Sequence, residues 1–268
     1  MSVFTVMMKM HFLQQWRLVH ALSEAEQPIS LAPEYEAGVR HLQKYFKADI
    51  KLEVGKEIPP GLFEIETLGP STRVGELQRP LVVPHEIVNY CRSLWLEPRD
   101  VEYSFIGLNH WGRQRTISEW HQRSFGDLLQ SYQVSGSQSI ADRVDPLVES
   151  GEAAPRAIVL FSKRGRAYPG KVWDDDFYRQ LARTRFSLCP DGDQIWSYRF
   201  FESMLCGSIP IIQTRWPTYE GFRYFTFDDP VETLVYRQED LDHNFELCRQ
   251  RLTLPKQDLD RVLSAALM

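Results

Sequence analysis

Residues 185–212 read RFSLCPDGDQIWSYRFFESMLCGSIPII, and they bring a serine, an arginine and a glutamate close behind a tight Pro190-Asp191-Gly192-Asp193 loop. Ser197 is a natural helix cap. The first turn that it would cap carries free N–H groups and a partial positive charge, which together favour phosphate. Arg199, two positions on, adds a planar pair of charge-assisted donors suited to the same group. Glu202 lies three positions after Arg199 and shares its helix face, where a carboxylate can accept from the hydroxyls of a ribose. Gly192 permits a turn with positive φ, and Gly207 stands where a helix stops. Asp191 and Asp193 suit the turn itself, although the same pair has the spacing to hold a divalent metal beside a diphosphate. An isolated Arg-x-x-Glu is ordinarily a solvated ion pair. The sequence of loop, cap, helix and glycine stop favours the phosphate reading here.

Two further stretches carry side chains of this kind. FSKRGRAYPGK, residues 161–171, places Lys163, Arg164, Arg166 and Lys171 in a glycine-containing loop after a strand. Such a loop can clamp a diphosphate and stabilise charge on a leaving nucleotide, its plain alternative being a solvated basic loop. FIGLNHWGRQR, residues 105–115, offers Asn109, His110, Arg113 and Arg115. Imidazole accepts a proton near neutral pH, so His110 is a candidate general base. Trp111 is read as a core anchor ahead of a stacking surface.

These residues need elements to hold them. Runs 3–8, 49–54, 80–84, 101–108, 157–162, 185–190, 209–213 and 224–229 predict strands, several of them apolar without alternation, as in strands covered on both faces. Helical patterns cover 35–47, 85–97, 114–131, 174–184, 197–206 and 239–252, with WDDDF at 173–177 an acidic helix start. The alternation predicts an α/β protein with parallel sheets and crossover helices. Residues 131–157 are rich in Ser, Gly, Ala and Pro and predict an interdomain segment, which sets domains at 1–153 and 154–268. Two sheets of this type joined by such a segment would form a cleft between them. Ligands in open α/β sheets bind beyond the carboxyl ends of strands, so the loops after 101–108, 157–162 and 185–190 should build the site.

Composition narrows the partners. A net charge of −5 argues against wholesale binding of nucleic acid or anionic membrane. Cys91, Cys189, Cys206 and Cys248 lie far apart without metal-ligand spacing, which predicts reduced thiols in a cytoplasmic protein. Lys9, His11, Gln14, Gln15 and Arg17 interrupt the apolar N-terminal stretch well before the roughly 20 residues of a membrane span. No targeting signal is read there.

Phe186, Leu188, Cys189, Pro190, Gly192, Ser197, Arg199, Glu202, Gly207, Ile209 and Pro210 together resemble the nucleotide-sugar site of exostosin-type glycosyltransferases. That family carries a Phe-x-Leu-Cys-Pro-x-Gly strand and loop, a Ser-x-Arg helix start, a Glu in the helix and a Gly-x-Ile-Pro strand. Residues 105–115 resemble, more weakly, its Phe-x-Gly segment with a following arginine. The resemblance is dense over 185–212 and looser over 155–250. It implies a GT-B arrangement of two Rossmann-like domains facing a cleft, the N-terminal one compact, in which a nucleoside diphosphate sugar is bound by the C-terminal domain, with no metal or cofactor, and a sugar passes to a glycan or related hydroxyl acceptor. Ser197 and Arg199 would hold the diphosphate and Glu202 the ribose, with Pro190, Gly192, Arg164, Arg166 and Lys171 also on the donor. His110 and Arg199 would be catalytic, and Asn109, Arg113 and Arg115 would face the acceptor. Two alternatives stay open: a non-catalytic sugar-nucleotide-binding or scaffold protein, and a fucosyltransferase-like enzyme with a guanosine donor.

Overall fold

The computed structural model describes residues 4–5, 12–54, 56–57, 61–66, 68–125, 132–133, 157–162 and 172–267. The chain begins β1 (Phe4–Thr5), α1 (Leu13–Ser23), β2 (Ile29–Leu31), α2 (Glu36–Gln43), β3 (Ile50–Leu52) and β4 (Lys56–Glu57). Next come β5 (Phe63–Glu66), β6 (Ser71–Val74), β7 (Leu77–Arg79), α3 (His85–Ser93), β8 (Val101–Leu108) and α4 (Trp111–Phe125). It continues through β9 (Tyr132–Gln133), β10 (Ala157–Ser162), α5 (Asp175–Ala182), β11 (Thr184–Cys189), α6 (Tyr198–Leu205) and β12 (Ile209–Ile212). The last elements are β13 (Phe225–Thr226), α7 (Gln238–Leu252) and α8 (Lys256–Leu267).

Contacts divide the chain into two units, one of Met1–Asn89, Tyr168–Trp173 and Arg249–Met268, the other of Tyr90–Ala167 and Asp174–Cys248. In the first unit a parallel sheet runs in the order β3-β2-β1-β4, beside an antiparallel β5-β6-β7 meander. Helix α1 buries Trp16, Leu18, Val19 and Leu22. A Cβ at Gly38 of α2 would run into the Trp16 ring, so only glycine lets α1 and α2 approach this closely. Helix α1 lies outside the helical patterns of the sequence, and its apolar face is interrupted by Gln14 and His20. Both are buried and paired: Gln14 Nε2 donates to Thr72 Oγ1 at 2.7 Å, and His20 Nε2 lies 2.8 Å from Glu86 Oε2.

The second unit holds a six-stranded sheet, all its pairings parallel, in the order β13-β12-β11-β8-β10-β9. One face packs Tyr103, Phe105, Val159, Phe161, Phe186, Leu188, Ile209 and Ile211 with Ile117 and Trp120 of α4. Each such aromatic stabilises the fold by about 2–3 kcal/mol relative to exposure. Burial extends to small hydroxyl side chains, which pair with one another: Thr184 Oγ1 with Ser104 Oγ at 2.9 Å and Ser187 Oγ with Ser208 Oγ at 2.7 Å.

Several sequence expectations are met in place, notably the strands at 101–108, 157–162, 185–190 and 209–213. Asp174 caps α5 by accepting from the Phe177 N–H at 3.1 Å, as an acidic helix start should. The four cysteines are free and buried. Residues 80–84 are not a strand. Pro80 and Pro84 withhold ladder donors, and Leu81, Val82 and Val83 are buried from an irregular segment whose Val83 N–H donates to Leu252 O at 2.8 Å. The division also differs from the expected 1–153 and 154–268, because β8 is hydrogen-bonded between β10 and β11 and so shares their sheet. Nearly all of the expected interdomain segment falls outside the described residues. No described helix is long and apolar enough to cross a membrane.

Candidate functional site

The chain passes from β10, on one side of β8, through α5 to β11 on the other side. That reversal makes the crevice beyond the carboxyl ends of β8 and β11 the topological switch point of the sheet, where open α/β sheets take their ligands. Residues 107–113 enter it from β8 and 190–199 from β11. Asn109, His110 and Arg113 therefore belong to the same unit as Gly192, Ser197 and Arg199 and do not come from a separate acceptor-side domain.

Helix α6 starts as its sequence predicts. Ser197 is extended at φ −139° and ψ 136°, and its Oγ accepts from the Arg199 N–H at 3.2 Å, which leaves the serine O–H proton available to a ligand oxygen. The Ser197 N–H in turn donates to Tyr219 Oη at 2.8 Å, and the Tyr219 ring stacks on Phe200 at 3.7 Å between centroids. Tyr219 thus packs against α6 and also holds the cap. The helix ends at Gly207, whose φ of 74° favours glycine.

Gly192 departs from expectation, since its backbone is not in the positive-φ region. The guanidinium of Arg113 lies against it instead, in the space that a Cβ at this position would take. Arg113 reaches the loop after β11 from the first turn of α4. It donates to Leu108 O over a long 3.4 Å, while its Nε is buried without a partner. Burial lowers the Arg113 pKa, an effect that the nearby Asp193 charge opposes.

Arg199 lies deeper, at 8% exposure. Its Nη2 donates to Ile106 O at 2.7 Å, and its guanidinium carbon stands 4.4 Å from the centroid of the Phe105 ring. A Cβ at Gly107 would strike the same guanidinium, so β8 needs glycine beside it. Glu202 is 2% exposed and accepts from Tyr178 Oη at 2.9 Å. Cys189, buried next to these charges, has its pKa pushed up to about 12 by burial and stays a thiol.

His110 is half-buried, with Nδ1 accepting from the Gly112 N–H at 3.2 Å. The neutral ring then carries its proton on Nε2 and presents a donor. Arg115 runs along the surface of α4, 3.7 Å from Glu119 and with its guanidinium 4.9 Å from the Trp111 ring centroid. Trp111 is 66% exposed, which corrects its reading as a core anchor; Trp120, one face around the helix, fills that role. Pro190 is buried at the end of β11, and Asn109 is half-buried after β8. Lys163, Arg164, Arg166 and Lys171 lie outside the described residues.

Gln213 and Thr214 brace the loop from beyond β12. Gln213 Oε1 accepts from Thr116 Oγ1 at 3.1 Å and from the Asp191 N–H at 3.2 Å, and Thr214 Oγ1 donates to Asp191 Oδ2 at 2.6 Å. Their only sequence signal is their place just after a strand. Burial raises the Asp191 pKa, an effect that the hydrogen bond from Thr214 opposes. Among the described residues, His20, Glu24 and Glu86 of the first unit have metal-ligand spacing. Their oxygens are committed elsewhere. Glu24 caps α3 by accepting from the His85 and Glu86 N–H groups at 3.0 and 2.9 Å, and Glu86 accepts from His20 and, at 3.2 Å, from the Lys47 N–H.

No protein-family model matches the chain, and no curated protein does. Among solved structures, HepE of Anabaena in complex with UDP-glucose is similar at 14% identity and a TM-score of 0.36, over 99% of this chain and 71% of that one. The complex of HepE with UDP and glucose is similar at 12% identity and a TM-score of 0.38, over 99% and 70% of the two chains. An alpha-glucosyltransferase in complex with UDP-glucose and DNA containing an abasic site is similar at 12% identity and a TM-score of 0.31, over 89% and 59%.

Proposed function

We propose that the chain is a glycosyltransferase of the exostosin-like kind, which takes a sugar from a nucleoside diphosphate sugar and passes it to a hydroxyl of a glycan or related acceptor. The observation that carries this reading is the switch-point crevice between β8 and β11. There an arginine from one strand's loop, a glycine-containing loop from the other and a serine-capped helix N-terminus converge. A diphosphate is the ligand that such a set of donors suits, and the same donors stabilise the charge that develops on a departing nucleoside diphosphate. Positive charge from arginine and the helix end supports departure without a metal, so the proposed reaction needs no cofactor.

Thermal stabilisation by UDP, GDP, ADP and CMP, each with magnesium and with a chelator, tests the reading. A nucleotide at 100 times its dissociation constant should add about 2.7 kcal/mol of stability. A shift with one nucleotide that survives the chelator is the expected outcome, and preference for GDP would favour the fucosyltransferase-like alternative. No shift with any nucleotide would remove the proposal.

The His110 geometry favours a second reading, in which the site binds a sugar nucleotide without transferring its sugar. A general base needs a lone pair toward the acceptor, and the His110 Nδ1 lone pair is taken by the Gly112 N–H. Binding with neither transfer nor hydrolysis across a broad panel of glycan acceptors would select this reading.

A further inference from the structure

We infer that Arg113 is the side chain that grips the donor diphosphate, and that Arg199 acts beneath it as a positioning residue. The inference rests on the sugar-nucleotide reading and reverses the roles that the sequence suggests, in which Arg199 holds the phosphates and Arg113 faces the acceptor.

The two guanidinium groups sit in different chemical situations. Arg199 is built into the end of β8 through Ile106 O, the Phe105 ring and the space left by Gly107. Swinging it out to a ligand would strip a carbonyl of its donor and uncover an aromatic ring. Arg113 has one long contact, to Leu108 O at 3.4 Å, against the 2.7 Å bond of Arg199. A cation held partly out of water with unused donors is costly to the free protein, and an anion arriving beside it relieves that cost. Phosphate matches the planar fork of the guanidinium through two parallel hydrogen bonds.

Position selects the ligand further. The Arg113 guanidinium occupies the volume that a Cβ of Gly192 would take, so an anion drawn to it is drawn onto the loop after β11, the same loop that leads into the Ser197 cap. One arginine from α4 and one serine at the start of α6 thus address the crevice from the two strands that define the switch point. Asp193, exposed in that loop, is the carboxylate whose charge Arg113 feels, and a diphosphate would compete with it.

The test measures affinities of wild type, Arg113→Ala and Arg113→Lys for UDP, GDP, ADP and CDP and for each parent nucleoside, with the melting temperature of each ligand-free protein. Arg113→Ala should weaken binding of the preferred nucleoside diphosphate by about 10- to 100-fold. It should leave the parent nucleoside unaffected and should not lower the ligand-free melting temperature. Arg113→Lys should restore only part of the loss, since lysine keeps the charge and loses the fork. If wild type binds a nucleoside diphosphate and Arg113→Ala binds it equally well, the inference is overturned while the sugar-nucleotide reading stands. An equal loss for nucleoside and diphosphate, with a lowered melting temperature, would make Arg113 structural and overturn the inference as well. If wild type binds none of the nucleotides, the underlying reading fails first and takes the inference with it.

Discussion

The Arg199 guanidinium donates to Ile106 O across the end of β8 and lies over Phe105, so its removal leaves a buried carbonyl without that donor and a gap above an aromatic ring. Both losses fall on the folded state. Arg199→Ala should therefore destabilise the protein by about 2–4 kcal/mol, the sum of an unmet hydrogen bond and lost packing. Equilibrium denaturation of the ligand-free protein reads this directly. A variant as stable as wild type would show that Arg199 is held for ligand alone. Glu202 follows the same logic, with its carboxylate turned to Tyr178 Oη inside the unit. Spacing along a helix shows that two side chains share a face. Whether that face meets solvent depends on what packs over it, and α6 is buried along its length, including Arg199, Glu202 and Ser203.

Helix α6 is fixed at its far end as firmly as at its cap. Arg99 Nη2 donates to Cys206 O at 2.9 Å, the Trp95 indole N–H to Leu205 O at 2.9 Å, and Tyr236 Oη to Gly207 O at 2.8 Å, so the last carbonyls have donors. Arg99 Nη1 also reaches Ala182 O at the end of α5 and Thr184 O at the start of β11. A cation there suits the negative end of the helix dipole. Gly207 is the constraint within this clamp. A Cβ at Gly207 would meet both Arg99 and Trp95, and its φ of 74° disfavours any other residue. Gly207→Ala should cost about 1–3 kcal/mol in chemical denaturation, more than a helix-end glycine costs where space is open. A loss of only a few tenths would mean that Trp95 and Arg99 move aside freely. The Gly207 stop, the Ser197 cap and the strands on either side of α6 were legible because local chemistry fixes them. Gln213 and Tyr219 were not, since their partners lie on other elements. Helix α1 was hidden by buried polar residues whose partners stand far along the chain, Gln14 with Thr72 and His20 with Glu86. The membership of β8 could not be read from order along the chain, because parallel pairing joins strands remote in sequence.

Across the whole molecule, acid should act first on the second unit. His121 of α4 is 4% exposed among Trp120 and Phe125, with Nε2 unpartnered, and burial lowers its pKa from 6.5 to about 4. The folded protein therefore keeps this ring neutral where the unfolded chain would protonate it. Above pH 6.5 the ring is neutral in both states and contributes no pH dependence. Between pH 6.5 and about 4 the unfolded chain binds a proton that the fold refuses, and stability falls by up to about 3 kcal/mol. In the first unit two carboxylates act in opposite senses. Burial raises Glu24 above 4.5, which favours the fold as pH drops toward that value, whereas the hydrogen bond from His20 lowers Glu86, whose contribution is lost only below 4.5. Neither removes stability as pH falls from 6.5 to 4.5, so among these groups a decline in that window belongs to His121. Denaturant midpoints of wild type and His121→Phe, measured from pH 7 to pH 4, should show a falling curve for the first and a much flatter one for the second. A variant that kept the full wild-type slope would assign the acid sensitivity to another group, and a flat wild-type curve would mean that His121 takes up its proton without unfolding.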